Sequence, residues 1–204
     1  METLSKQELR VRETQARLLH AAEEVFVRDG YENAQLDEIA ATAGRSKGAV
    51  YTHFKSKEDL FLALCEYRMG SYVLQVVDRV RKCTTRKQKL ETFREFYVGL
   101  ACDKVWPILT MEFKLFVLRH PELQERLVNA IGISKVAKQG AIYEQLFGKL
   151  TPDKRPDVEL SLTALGPIFS GLILESQLNP ENLPEKALRR ILGRIFDALI
   201  PAGS

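Results

Sequence analysis

Cysteine is scarce in this chain of 204 residues: Cys65, Cys83 and Cys102 are odd in number, far apart and without a CxxC pair. That excludes a disulfide framework and suits buried thiols in a reducing compartment. Charge of one sign is also scarce, with 30 Lys+Arg against 27 Asp+Glu and a net of +3. No whole-molecule basic field is available, so any case for nucleic acid must rest on where the cations sit. The three histidines, His20, His53 and His120, are scattered, and no His/Cys/acid cluster has metal-ligand spacing. Neither a Gly-rich phosphate loop after a strand nor a nucleophile motif is found, so no enzyme, metal or cofactor is expected. The first residues carry no apolar stretch behind a basic flank, and no apolar run is read as reaching the roughly 18 residues of a membrane span. A soluble, cytoplasmic protein is the expectation, with no membrane partner.

Strand patterns and internal repeats are missing as well, and the fold class is read as all-α. Leu18, Leu19, Ala22, Val25 and Phe26 fall on one stripe at helical spacing, with Arg17, Glu23, Glu24 and Arg28 opposite. This helix is expected to stop at Gly30. Two short apolar sets follow, Leu36/Ile39/Ala40 and Val50/Tyr51/Phe54, separated by Ala43-Gly44-Arg45-Ser46. A Gly-containing turn between helices this short is the pattern of a helix-turn-helix. Such short helices are marginal alone and must pack on the first one, giving a three-helix unit over about residues 8–55. Ser56 opens a longer helix reaching the basic stretch 79–89. Later helices are expected around Leu90–Leu100, Trp106–Leu118, Pro121 to about Phe147, Val158–Leu178 and Pro184–Ile200. Residues 149–156, with two prolines, read as a loop. The domain division is 1–55 and 56–204.

Function is concentrated between Arg45 and Lys57. This segment holds Arg45, Lys47, Lys55, Lys57 and His53 and no acidic residue. Ser46-Lys47 and Ser56-Lys57 both look like an N-cap followed by a cation in the first helical turn. Helix starts favour anions, so two cations placed there make sense if a phosphate is the missing partner. The alternative is a pair of solvated lysines, with Glu58 and Asp59 satisfying the second helix start. Gly48 and Ala49 are small and read as facing outward, opposite Val50 and Phe54, which would let a helix backbone sink into a major groove. Tyr51 and His53 can donate to phosphate oxygens, and Thr52 and Arg45 can reach base edges. Lys6, Arg10, Arg12 and Arg17 outnumber Glu8 and Glu13, so the N-terminal arm either adds backbone contacts or is a solvated terminus.

The run from Gly30-Tyr31 through Leu36, Ile39-Ala40, Gly44-Arg45-Ser46-Lys47-Gly48, Val50-Tyr51-Thr52-His53-Phe54 and Ser56-Lys57-Glu58 to Leu60-Phe61 resembles the N-terminal domain of tetracycline-repressor-like (TetR) regulators. The match covers roughly residues 14–61 without gaps. The resemblance implies a homodimer bound to a palindromic operator in double-stranded DNA, as a repressor released by a small molecule. By motif position it implies phosphate contacts from Lys47, Tyr51, His53 and Lys57, and base-facing roles for Arg45, Gly48 and Thr52. The family often places Ser or Thr at the start of the second helix. Here Ala34 and Gln35 stand there, and Gln35 can still donate to phosphate but caps poorly.

Beyond the match, Phe93, Phe96 and Tyr97 precede a set of middle-helix aromatics, and most of them are core by residue type. The resemblance implies an effector cavity among these helices, with Phe93, Tyr97, Trp106, Met111, Phe113, Phe116, Tyr143 and Phe169 as candidate walls for a hydrophobic or aromatic ligand. Glu112, Gln139 and Glu175 are candidate orienting groups. Gly166-Pro167 is expected to open a kink. The last two helices carry apolar stripes, and Leu165, Phe169, Leu172, Leu188, Ile191, Leu192 and Ile195 are the candidate dimer interface, with intramolecular packing as the alternative. Cys65 and Cys102 are read as buried and inert rather than as a redox sensor.

Overall fold

A computed structural model describes residues 5–100, 103–131, 144, 146–147 and 155–200, with Arg155 by its backbone alone. Among these, nine α-helices carry the chain: α1 Lys6–Asn33, α2 Leu36–Thr42, α3 Lys47–His53, α4 Lys57–Arg81, α5 Arg86–Leu100, α6 Trp106–Leu118, α7 Gln124–Ile131, α8 Arg155–Leu178 and α9 Glu185–Leu199. A short 3-10 turn, Pro121–Leu123, leads into α7. Tyr143, Gln139 and Cys102, and residues 132–143 and 145 of the expected helix up to Phe147, lie outside the described residues.

By packing, the chain forms two units, Met1–Met69 with Glu112–Ala130, and Gly70–Met111 with Ile131–Ser204. In the first, α1 starts with a capping box: the Ser5 hydroxyl accepts from the Glu8 N–H, and the Glu8 side chain accepts from the Ser5 N–H. The basic arm from Lys6 is therefore helix. Leu18, Ala22, Val25 and Phe26 are fully buried on one face of α1. Gly30 does interrupt the helix, at φ 76 and ψ 170, yet one more turn follows as far as Asn33. Local signals alone would end the helix at Gly30; contacts made by α4 and α6 hold the extra turn. The core of this unit is a group of rings. Tyr31 lies 5.1 Å from Phe61, 4.7 Å from Phe113 and 5.0 Å from Phe116, centroid to centroid. Phe61 lies 4.3 Å from Phe113. Aromatic pairs at such separations add to plain area burial.

In the second unit, α8 and α9 pack together and α9 packs on α5. Leu162, Leu165, Phe169 and Ile173 on α8 meet Leu188, Leu192 and Phe196 on α9 and Phe93 and Phe96 on α5. Arg94 on α5 reaches Asp197 on α9 with two hydrogen bonds, 2.7 and 3.1 Å. Gly193 lies beneath that guanidinium, where a Cβ would collide with it. Asp103 starts α6 by accepting from the Val105 and Trp106 N–H groups, both at 3.0 Å. Pro167 sits within α8. One helix departs from the expectation that no apolar run reaches membrane length. Pro156–Leu178 is long and apolar enough to cross a membrane by composition, with a mean hydropathy of 1.4 over its best window. Ser161, Thr163 and Gly166-Pro167 hid that average from a search for unbroken apolar stretches.

Candidate nucleic-acid interface

The geometry of α2 and α3 follows from local chemistry. Gly44 takes φ +63 and ends α2, with its N–H on Ala41 O at 3.0 Å and the Arg45 N–H on Ala40 O at 2.9 Å. That paired closure satisfies the last α2 carbonyls and needs a left-handed residue, which glycine supplies without strain. Ser46 then caps α3, its hydroxyl accepting from the Ala49 N–H at 3.3 Å. Val50 and Phe54 are buried and fix which side of α3 faces the core. The opposite side presents Arg45, Ser46, Lys47, Gly48, Tyr51 and Thr52, all exposed, with His53 half-buried. Ala49, read as outward, is itself half-buried. Among the described residues, and leaving aside its chain neighbours and its own helix backbone, the nearest atom to a Gly48 Cβ would be the Ser46 hydroxyl at 3.9 Å, so packing against them does not require glycine there.

Individual side chains have partners that the sequence did not reveal. The Lys47 ammonium pairs with the Asp37 carboxylate of α2 at 2.8 Å, and that hydrogen bond holds the lysine above its ordinary range. Both side chains are more than half exposed, so the pair is weak. The Thr52 hydroxyl donates to Gly48 O at 2.9 Å and keeps its lone pairs for another donor. Gln35 makes no cap bond to α2; its amide donates to Asn33 O at 3.3 Å.

Lys57 departs most from expectation. Its ammonium donates to the carbonyls of Tyr31, Glu32 and Ala34 at 2.9, 2.8 and 3.3 Å, and it lies 4.8 Å from the centre of the Tyr31 ring. Burial pulls it below its ordinary range, against the pull of Glu58 and Glu32. A cation with three carbonyl partners at the end of a helical segment is an internal cap. The Ser56 hydroxyl accepts from the Asp59 N–H at 3.2 Å, so the second suspected helix start is capped within the chain.

Other candidate residues also land elsewhere. Phe113 and Phe116 pack with Tyr31 and Phe61 in the first unit, where neighbouring rings fill their surroundings. Glu112, read as an effector-orienting group, accepts from the Tyr31 N–H at 2.9 Å. Phe93, Tyr97 and Phe169 come together in the second unit with Phe196, Tyr97 lying 5.7 Å from Phe169 and 5.6 Å from Phe93. Trp106 is nearly buried and Met111 half-buried. Among the candidate dimer residues, Leu165, Phe169, Leu188 and Leu192 are at most 4 % exposed within the single chain. They belong to the core of the second unit, while Leu172, Ile191 and Ile195 stay half-exposed. Cys65 is buried, and desolvation pushes its thiol up to about 12, which leaves it almost wholly protonated near neutral pH.

Comparison with known proteins places this geometry. Residues 18–64 match the family model described as bacterial regulatory proteins, tetR family. The fatty acid metabolism regulator protein of Bacillus subtilis is 29% identical over 108 residues, 53% of this chain and 52% of that protein. The HTH-type transcriptional activator FasR of Mycolicibacterium smegmatis is 41% identical over 85 residues, 42% of this chain and 39% of that one. This chain thus spans about half the length, or less, of these curated relatives. A crystal structure of the transcriptional regulator FadR from Bacillus subtilis, in complex with stearoyl-CoA, superposes with a TM-score of 0.57 at 19% identity, covering 93% of this chain and 99% of that one. The helical architecture is therefore shared with that structure, while the family model matches residues 18–64. Residues 18–64 thus carry the segment that marks bacterial regulatory proteins of the tetR family, and the chain is similar to that family over this stretch.

Proposed function

We propose that the protein is a homodimeric transcriptional repressor that reads a palindromic operator through α3 and is released by a small hydrophobic ligand. The observation that carries this reading is the exposed face of α3 and the turn before it. Arg45, Ser46, Lys47, Tyr51 and Thr52 surround a Gly48 that packing does not require. Arg45 and Thr52 face bases, Lys47, Tyr51, His53 and Gln35 serve phosphates, and Gly48 lets the backbone approach. Lys47 exchanges Asp37 for a phosphate on binding. Lys57 is left out of this set because its ammonium already has three carbonyl partners.

Dimerisation is supported by α8. Its outer side carries Leu160, Ala164, Ile168, Gly171 and Leu178, with Glu175 among them, and Leu160 and Leu178 are about two-thirds exposed. An apolar stripe of that length on one helix marks an association face. Two-fold symmetry would place two α3 helices about 34–36 Å apart for successive major grooves. For the ligand, support comes from the aromatic group Phe93, Tyr97 and Phe169 and from the stearoyl-CoA held by the FadR of the same fold.

The test is fluorescence anisotropy with a labelled duplex taken from upstream of the protein's own gene, against a scrambled duplex of equal length. We expect preference for the native duplex, and weakening of that complex by stearoyl-CoA but not by free CoA. Equal affinity for both duplexes would refute the reading of DNA sequence. Preference that stearoyl-CoA leaves unchanged would refute the acyl-chain ligand.

A further inference from the structure

Gly30 breaks α1, and the chain makes one more turn before Leu36 opens α2. Side chains from two other helices hold this turn at both ends. At its start, the extended ψ of Gly30 turns the Tyr31 N–H out of the α1 ladder, and Glu112 of α6 accepts it at 2.9 Å. Glycine suits this point because φ is +76, and a Cβ there would stand 3.0 Å from the Glu112 carboxylate, which would have to shift slightly. At the far end, Lys57 of α4 donates to the carbonyls of Tyr31, Glu32 and Ala34. A carboxylate at the amide end and an ammonium at the carbonyl end is the arrangement that the partial charges of a helical turn favour. Between them the Tyr31 ring is buried, under the lysine and against Phe61, Phe113 and Phe116.

We propose that Glu112 and Lys57 form a two-sided clamp on residues 31–34 through which α6 and α4 set the pose of α2 and α3. Lys57 is then a positioning residue rather than a phosphate contact. The proposal rests on the reading of α2 and α3 as DNA-binding elements. Its physical basis is connectivity: residues 31–34 run into α2 after a single residue, and α2 packs on α3. A tilt of the clamped turn therefore passes to the recognition helix with no flexible joint between. A displacement of α6 large enough to part Glu112 from the Tyr31 N–H would free the start of that turn and loosen the pose.

The test uses the full chain and has two arms. In the first, hydrogen exchange is followed at residues 31–34. Glu112 is exposed, so Glu112→Ala is expected to fold, with exchange there at least ten-fold faster and residues 185–199 of α9 unchanged. Glu112→Gln retains an acceptor oxygen and is expected to recover part of the protection. Exchange in Glu112→Ala equal to that of the unaltered chain overturns the clamp, whatever DNA does. In the second arm, affinity for the native upstream duplex is measured against salt. Lys57→Met is expected to weaken binding several-fold with the salt slope kept, as is Glu112→Ala. A slope reduced by about 0.9 in Lys57→Met, the value for one lost phosphate contact, overturns the positioning role. Should the unaltered chain fail to prefer that duplex over a scrambled one, the DNA reading is lost while the exchange arm still judges the clamp.

Discussion

At Tyr31 one side chain joins three helices: its ring meets Phe61 and Phe113, its N–H is held by Glu112, and its hydroxyl donates to Glu58 at 3.1 Å. Burial, then the charge of Glu58 and the hydrogen bond to it, push the phenol well above its ordinary value of 10.0. Burial alone would raise the Glu58 carboxyl, but bonds from Ser56, its own N–H and Tyr31 outweigh that and hold it below the usual range. The sign of the linkage follows. Unfolded, Tyr31 loses its proton near pH 10, and folded it loses it higher, so its contribution to stability is whole below about pH 10 and declines above. Tyr31→Phe keeps the ring and removes the hydroxyl. It is expected to cost roughly 1.5–3 kcal/mol near neutral pH, the usual contribution of a hydrogen bond to a charged group. Urea midpoints from pH 8 to 11 should also show a shallower alkaline decline in the variant; equal declines would refute the linkage. That Tyr31 belongs to a core could be read from the motif around it. Its place as a hub could not, because the acceptor of its N–H lies 81 residues further on. Glu112 looked from sequence like a polar group in an apolar helix, and periodicity gives no hint of which neighbour it serves.

Single helices show why some features were legible and others not. Trp106–Leu118 is legible to the residue, because Asp103 opens it and His120-Pro121 closes it locally. The end of α1 was misplaced because the turn past Gly30 depends on Lys57 and Glu112, distant in sequence. The helix α9 shows a third case. Its stripe was visible at helical spacing, but a stripe tells which face is buried and not what covers it. Leu192 has no exposed surface, and it packs with Leu188 and Phe196 in the core of the second unit. Leu192→Ala is therefore expected to destabilise the folded chain by about 2–5 kcal/mol, as large-to-small changes in close-packed cores do. Arg190→Ala, on the exposed side of the same helix, should change stability by no more than about 0.5 kcal/mol. Denaturant unfolding of the two variants checks this. An effect at Leu192 as small as that at Arg190 would mean that the residue meets a partner rather than the core.

Charge across the whole chain nearly cancels, so neither solubility nor DNA affinity can come from a global field; association has to come from particular faces. For the protein with itself, the face proposed above is the outer stripe of α8. The best membrane-length window of this helix is only 22% buried, although its mean hydropathy is 1.4. The inner stripe of Leu162, Leu165, Phe169 and Ile173 serves the core, so a substitution on the outer one tests association without disturbing folding. Ile168 is 37% exposed and stands mid-helix between Ala164 and Gly171, small residues that allow close approach of a second helix. In Ile168→Lys the ammonium would be trapped between two copies and reach water only if they part. Sedimentation velocity should report a dimer for the unaltered chain and a monomer for the variant, with the far-UV spectrum unchanged. Affinity for the operator should then fall by about 100-fold or more, because two linked reading heads gain from effective concentration what one head lacks. A variant that stays dimeric would remove α8 from the interface. A monomeric variant that binds the operator undiminished would separate dimerisation from DNA reading, and the two-fold operator would lose its physical basis.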